Sequence, residues 1–290
     1  MTDDLHAAAA GLVSRAAAAY SAGVPDQPAD DGFFGPASVT WRSSADLSAP
    51  VAGLRALLIQ ALHPLAMAGV DQHSDWRSDP VGRLAATSAY VTTVSVGDRA
   101  TAEQAAARVR RIHEHVRGVD PVTGQPYAAG DPALLLWVHA ALVDSTVEAA
   151  RLFGQALTDD GTDAYISEMV VAAEMVGVPA GMVPATSAAL RRYIASVRPV
   201  LQCTRAARES MAYLLDPPGL DADLAEIWQD VRDGAVAALP GWARDLYGYA
   251  DPGPLTEARR TEIRQALGVL DTVFLGEPGE IGRASCRERV

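Results

Sequence analysis

The chain has 290 residues, of which 49% are hydrophobic, and its formal net charge is −12. This length suits one large domain or two small ones. The negative charge argues against a nucleic-acid partner, because binding phosphates needs a basic face. There is no run of about 18 uninterrupted apolar residues, which predicts that no helix spans a membrane.

Cysteine content and the two chain ends bear on compartment and domain limits. The two cysteines are Cys203 and Cys286, and Cys286 falls in residues 281–290, which carry four charged residues and no apolar period. We interpret residues 280–290 as an artefactual tail translated from a sequencing adapter. A single native cysteine permits no disulfide, and the N-terminus lacks the basic start of a signal peptide, so we expect a cytoplasmic protein.

Apolar periodicity and Gly or Pro punctuation predict helices along the chain and almost no strand. The predicted helices cover residues 3–22, 51–62, 80–94, 101–117, 132–157, 163–176, 186–197, 205–214, 220–238 and 256–274. Residues 23–44 and 118–130 are predicted to be loops. The helix at 132–157 is apolar nearly all round, as a central helix is. We therefore expect an all-α fold, with a single globular multi-helix domain at 33–279 around this buried helix, preceded by an N-terminal helix and loop at 1–32.

Apart from His6, the histidines fall in one part of the chain, residues 63–139. His113 sits in an apolar stripe at helical spacing, so we expect it to face the core. The stripe consists of Val109, Ile112 and Val116. His115 shares its helix face with two arginines and is expected to face solvent or a pocket rim. A lone histidine on an apolar stripe is by default a hydrogen-bonded core residue, and this alternative stays open for His113.

Three further histidines are candidates for the same core. His139 lies beside Trp137 in the predicted central helix, so a second buried imidazole is expected there. Two buried imidazoles cost desolvation free energy unless both are satisfied, and a shared ligand or carboxylate is the usual solution. His63 precedes Pro64 at a predicted helix break, where it either points into a cavity or serves the helix end. His73 lies in a polar stretch and is expected at the surface.

Arg83 and Thr87 are four residues apart in a predicted helix and so project from one face. An arginine above a threonine on an inward face makes a poor core and a good site for an anion or an oxygen species. The alternative is an exposed Arg83 paired with Asp79.

Several known site patterns are not found in the sequence. We find no nucleophile elbow, P-loop, Rossmann glycine pattern, paired-cysteine metal motif or zinc-helix motif. His113 and His115 form a His-x-His, but on a helix their side chains point about 160° apart, so they cannot both ligate one metal ion.

A series of short motifs, taken in order, resembles one oxygenase family. The family includes the latex-clearing proteins, or rubber oxygenases, and the membrane-associated oxygenase of mycophenolic acid biosynthesis. The resemblance covers residues 33 to 275. Its motifs are Gln60-x-x-His63-Pro64-x-Ala66-x-x-Gly69-Val70, His73-Ser74, Asp79-Pro80-x-x-Arg83-x-x-x-Thr87, His113-x-x-Val116-x-Gly118, Tyr127-x-Ala129-x-Asp131-Pro132 and Trp137-Val138-His139.

Latex-clearing proteins are all-helical haem b enzymes that cleave the double bonds of polyisoprene with dioxygen. The resemblance implies haem b as the cofactor, His113 as its axial iron ligand and Arg83 with Thr87 in the haem pocket. This sequence departs from the rubber oxygenases at two positions. It has Ala86 where they carry a lysine next to the pocket threonine, and no carboxylate near Met67 where they use a distal glutamate. Rubber is therefore not the expected substrate.

We accordingly expect a haem-dependent oxygenase that acts with dioxygen on a hydrophobic, isoprenoid or lipid-like molecule. His63 and Arg83 are expected opposite His113, where they polarise bound oxygen, with Thr87 nearby and His139 as a further cofactor-binding residue. The expected apolar walls are Leu58, Leu62, Met67 and Leu135. The sequence leaves open whether His113, His115 or His139 is the axial ligand.

Two other classes of function stay open at this stage. The first is a non-catalytic helical protein that binds haem or a lipid without turnover. The second is a metal enzyme without porphyrin, whose ligands would be His63, His73, His113 and His139.

Overall fold

The computed structural model of the protein describes residues 31–218, 220, 222–251 and 253–275. The predicted helix at 3–22 and the tail at 280–290 lie outside the described residues. The helices are α1 (Val39–Ser44), α2 (Ala49–Ala61), α3 (Pro64–His73), α4 (Pro80–Val96), α5 (Arg99–His113), α6 (Pro132–Phe153), α7 (Asp159–Glu168), α8 (Val170–Val176), α9 (Ser187–Val197), α10 (Arg205–Leu215), α11 (Ala222–Ala238), α12 (Gly241–Tyr247) and α13 (Glu257–Leu275). Short 3-10 turns follow α8 and α9, at Ala180–Met182 and Arg198–Val200. The prediction of an all-α domain is confirmed.

The core forms around α6, which makes its most extensive contact with α2 and also packs against α11 and α13. A bulky aromatic pair on α6, Trp137 and Phe153, is fully buried in this core. The partners from the other helices are Val51, Leu54, Leu58, Leu62, Val231, Ala235, Ile263, Leu267 and Leu270. The predicted central helix is therefore central. It ends at Phe153, before the predicted 157, because Gly154 caps it and Asp46 accepts the backbone N–H of Gln155 at 2.8 Å.

One charged side chain crosses this core. The guanidinium of Arg55 on α2 pairs with Asp144 of α6 at 2.8 Å and donates to Ser145 Oγ at 2.7 Å. Its Nε donates to the carbonyl of Ala238, at the end of α11, at 2.8 Å. Because Arg55 is 3% exposed, these bonds replace its hydration and join three helices.

The segment 23–44, predicted as a loop, instead contains α1. Ser38 caps this helix by accepting the backbone N–H of Trp41. Glu168 of α7 accepts two other free N–H groups of the first turn, from Val39 at 3.2 Å and Thr40 at 2.7 Å. A cap supplied by a residue 128 positions away has no local sequence signal, which explains the wrong prediction.

The predicted break at His63-Pro64 is confirmed. Pro64 opens α3 after His63, and α3 is bent by 102° from α2. This bend places the imidazole of His63 where the two helices meet.

The segment 118–130, also predicted as a loop, forms an antiparallel hairpin of β1 (Arg117–Val119) and β2 (Pro126–Ala128). Its turn is held by the carboxylate of Asp120, which accepts the N–H groups of Val122 and Thr123. The hairpin lies on α3, where Tyr127 donates to Gln72 Oε1 at 2.8 Å and Gln72 Nε2 donates to the Val119 carbonyl at 3.0 Å. These contacts with a distant helix stabilise two short strands in a segment rich in turn residues. Apolar periodicity does not reveal such contacts.

Within the described residues, α6 is the one helix long and apolar enough by itself to cross a membrane, and 56% of its most apolar window is buried inside the fold. Helices α2 and α3 pass the same test only if they are joined as one bent span. A buried core helix has the same length and composition, so this is weak evidence for a span.

Candidate functional site

Helices α4 and α5 form an antiparallel pair that brings Arg83 close to His113. They are joined at Gly97 and Asp98, and the carboxylate of Asp98 caps α5 by accepting the N–H of Thr101 at 2.8 Å. Arg83 lies near the start of α4 and His113 at the end of α5, at similar distances from the turn. The guanidinium is close enough for its charge to lower the pKa of His113.

The imidazole of His113 is half-buried and has no hydrogen-bond partner in the described part of the chain. Its Nδ1 is closed off from solvent and unpaired. Burial is the larger cause that lowers the pKa of His113, and the positive charge of Arg83 is the smaller. The ring is therefore neutral at pH 7, and one of its nitrogens carries a free lone pair.

Arg83 is partly buried, and burial lowers its pKa. No ion pair joins Arg83 to a carboxylate in the described ranges, so the alternative pairing with Asp79 is wrong. Asp79 instead caps α4, with its Oδ1 accepting the N–H of Gly82 at 2.9 Å. A partly buried guanidinium without a counter-charge is a site for an anionic group.

Thr87 follows Arg83 one helical turn later, and the two predicted residues therefore share a side of α4. The hydroxyl of Thr87 donates to the carbonyl of Arg83 at 3.0 Å. Thr87 is exposed, so the expectation of an inward face is correct for Arg83 and wrong for Thr87. The Thr87 oxygen can still accept a hydrogen bond from a bound molecule.

The predicted apolar stripe around His113 differs from the one observed. Ile112 is 53% exposed, and α5 ends at His113, so Val116 lies beyond the helix. His113 is half-buried with its Nδ1 closed off from solvent, while His115 is exposed and its Nδ1 lies 2.8 Å from the Arg111 carbonyl. The stripe failed as an argument because α5 ends at His113 and the hairpin strand β1 begins at Arg117, so the helical spacing does not continue to Val116.

Sequence reasoning missed Tyr90, which lies seven residues after Arg83 on α4. Burial raises its pKa to about 12, and the charge of Arg110 on α5 acts on it in the opposite direction. Thr87 and Tyr90 follow Arg83 by four and seven residues, which places all three on one side of α4. Helical periodicity could therefore have pointed to Tyr90. Two arginines of the α4–α5 pair thus act on a ring of the neighbouring helix. Arg83 acts on the imidazole of His113, and Arg110 acts on the phenol ring of Tyr90.

The other predicted histidines lie on α6, at the α2–α3 bend and at the end of α3. His139 lies on α6 two residues after Trp137, and burial lowers its pKa to about 4. His63 lies at the α2–α3 bend, with its ring centroid 6.1 Å from that of Trp137. His73 is exposed, and its Nε2 is 3.1 Å from the carbonyl of Arg117. This contact joins the end of α3 to the hairpin.

The histidines do not converge on one metal ion. Among the described residues, no group of three or more His, Cys, Asp or Glu side chains is close enough to hold one. The hypothesis of a non-haem metal centre built from His63, His73, His113 and His139 is therefore wrong for this fold. The expected walls Leu58, Leu62 and Met67 are at most 2% exposed and belong to packed clusters.

A family model described as "ER-bound oxygenase mpaB/B'/Rubber oxygenase, catalytic domain" matches residues 41–272. No curated protein and no solved structure matches the chain significantly. The matched segment includes Arg83, Thr87 and His113 and all of α2 to α12.

Proposed function

Since the chain belongs to the family of mpaB-type and rubber oxygenases and carries its catalytic domain, we propose that it is a haem b oxygenase that acts with dioxygen on a hydrophobic small molecule. The observation that carries the proposal is the pairing of two half-buried groups without partners, the neutral imidazole of His113 and the guanidinium of Arg83.

These two side chains fit the two chemical demands of haem. Haem, when bound, needs a neutral imidazole nitrogen to hold its iron, and His113 would offer one. The propionates are anions that need a cation or hydrogen-bond donors, and Arg83 offers a planar set of N–H donors without a competing carboxylate. One bound group would thus satisfy both polar side chains, which otherwise cost desolvation free energy.

The proposal assigns a role to three residues of the site. His113 would hold the iron, Arg83 would bind an anionic edge or polarise an oxygen atom of a bound molecule, and Thr87 would accept or donate a hydrogen bond at the rim. Haem, when bound, would supply the iron centre that activates dioxygen. His63 and His139 remain predicted site residues, and their lowered pKa values keep both neutral at pH 7.

The proposal on the substrate class rests on a residue that differs from the rubber oxygenases. Ala86 stands in place of the lysine of the rubber oxygenases, and the chain contains no lysine. We therefore propose a small hydrophobic substrate and not polyisoprene. The same loss favours a second candidate function, in which the protein binds haem or a lipid without turnover.

Two measurements on the purified protein test these functions. An absorption spectrum with a Soret band after addition of haem supports the haem proposal, and its absence contradicts it. Dioxygen consumption by the haem-loaded protein, supplied with isoprenoid and fatty substrates, separates the two functions. Consumption coupled to substrate loss supports an oxygenase, while a Soret band without consumption supports the binding protein.

A further inference from the structure

A cleft separate from the Arg83–His113 pair opens between the start of α3, the hairpin and the start of α6. Its volume is about 410 Å³, and its walls include Leu65, Tyr127, Ala133 and Leu134, with His63 and Asp131 as polar groups. Ligand pockets in proteins have volumes of roughly 300–1,000 Å³ and are mainly apolar with a few polar groups. Neither Arg83 nor His113 lines this cleft.

The imidazole of His63 is the hydrogen-bonding group of this cleft that has no partner in the described part of the chain. Its Nδ1 is buried and its Nε2 is not, so Nε2 is the ring nitrogen that a molecule in the cleft would reach, and no other described residue hydrogen-bonds to it. Burial, the largest cause, lowers the pKa of His63, so the ring is neutral at pH 7. A neutral imidazole has one N–H donor and one acceptor nitrogen, and the contact with Trp137 keeps the ring in place.

The charges near the cleft are negative. Asp131 Oδ1 accepts the N–H of Ala133 at 2.8 Å, so this carboxylate is fixed at the start of α6. Asp120 is buried in the hairpin turn, close enough for its charge to act on His63. No arginine lines the cleft. An anionic ligand would therefore meet like charge without a compensating cation.

We propose that this cleft binds a neutral, largely apolar small molecule through one hydroxyl group that hydrogen-bonds to His63. A hydroxyl is both donor and acceptor, so it pairs with either tautomer of the imidazole. The apolar walls bury the remainder of the molecule, and the two carboxylates exclude acids of the same length. The proposal goes beyond the haem site and does not depend on it.

Octan-1-ol and octanoate are the probes that test it, because they share an apolar chain and differ in charge. Ligand-observed NMR at neutral pH measures both affinities, and the imidazole C–H signal of His63 reports where the probe sits. We expect octan-1-ol to shift the His63 signal and to bind at least about tenfold more tightly than octanoate.

Three variants separate the cleft from non-specific binding. Ala133 is exposed, so Ala133→Trp fills the cleft without disturbing the core and should abolish octan-1-ol binding. Ala100→Trp, at an exposed position on α5 outside the cleft, is the matched control and should bind octan-1-ol as the unmodified protein does. His63→Phe keeps an aromatic wall but removes the hydrogen bond, and we expect at least about a tenfold loss of affinity.

Equal affinities for the alcohol and the acid would overturn the proposal. Unchanged binding of octan-1-ol to Ala133→Trp or to His63→Phe would overturn it too. None of these measurements uses haem, so their failure is distinguishable from failure of the oxygenase proposal.

Discussion

At the residue scale, the chemistry of His113 follows from its surroundings. Burial and the charge of Arg83 both favour the neutral ring. Arg83 is itself partly buried, and no carboxylate in the described ranges forms an ion pair with it. Each group alone raises the free energy of the folded protein, and a ligand with a metal centre and an anionic edge relieves both.

Arg83→Ala should lower haem affinity at least about tenfold, which is about 1.4 kcal/mol, because it removes the donors to the anionic edge. Titration of haem followed in the Soret region measures the effect, and circular dichroism checks that helicity is unchanged. Arg111→Ala is the matched control, since Arg111 is exposed on α5. The same affinity in both variants would show that Arg83 does not serve the cofactor.

His139 should make the stability of the haem-free protein depend on pH. Its pKa is lowered from 6.5 to about 4 by burial, so the unfolded chain takes up the proton first as pH falls. This contribution to stability is complete above pH 6.5 and is lost between 6.5 and about 4. At about pH 5 the loss reaches up to about 2 kcal/mol, at 1.36 kcal/mol per unit of pKa.

Urea unfolding at about pH 7 and about pH 5 checks this dependence. His139→Leu should lose less stability on acidification than the unmodified protein, by up to about 2 kcal/mol. His115→Leu, at an exposed position, should lose as much as the unmodified protein. If His139→Leu responds to acid as the unmodified protein does, His139 is not held neutral by the fold.

Spacing within single predicted helices was the basis for expecting His113 and Arg83 to point inward. It could not predict that Arg83 lies beside His113, because that depends on how α4 packs against α5. It was wrong about Ile112, which is exposed within α5, and about Val116, because helix periodicity assumes that the helix continues and α5 ends at His113.

At the scale of elements, the hairpin sets how α3 and α6 meet, and a glycine permits its docking. A Cβ on Gly118 would lie 2.6 Å from the hydroxyl of Tyr127 and 2.8 Å from Gln72 Oε1. Both atoms belong to the hydrogen bonds that hold the hairpin on α3. The hairpin also connects the helix that ends at His113 with the helix that carries His139.

Gly118→Ala should therefore destabilise the protein by about 1–3 kcal/mol through overpacking. Gly130→Ala is the matched control, because nothing lies within 4 Å of a Cβ built there. Its effect should be small or stabilising, by up to about 1 kcal/mol. Chemical denaturation compares the two, and equal stabilities would contradict the tight docking of the hairpin.

Element types followed from the sequence wherever a helix carries its own signals. Asp131 with Pro132 marks the start of α6, and Gly154 follows its last residue. Helix α1 and the hairpin were not predicted, because the hydrogen bonds that fix them include partners distant in sequence, Glu168 and Gln72. Short elements with remote partners leave no periodic pattern.

At the scale of the whole molecule, the ion pair between the buried Arg55 and the partly exposed Asp144 joins the central helix to its neighbours. The pairs Arg55–Asp144 and Arg151–Glu148 have similar N···O distances, 2.8 and 2.7 Å. The arginine side chains are 4% and 60% exposed, respectively. Water screens the second pair, while the first replaces the hydration of Arg55.

Arg55→Ala should cost about 3 kcal/mol of unfolding free energy, since it leaves Asp144, Ser145 and the Ala238 carbonyl without their partner. Arg151→Ala should cost less than about 1 kcal/mol. Chemical denaturation at one pH measures both changes. Comparable costs would show that burial does not determine the strength of the Arg55 pair.

We propose that His113 would hold the haem, and a haem titration of two single-histidine variants tests this most directly. His113→Ala should lose the Soret band of the bound cofactor, because it removes the half-buried neutral imidazole beside Arg83. His115→Ala, two residues away and exposed, should bind haem as the unmodified protein does. Equal losses in the two variants, or an unchanged spectrum in His113→Ala, would contradict the claim.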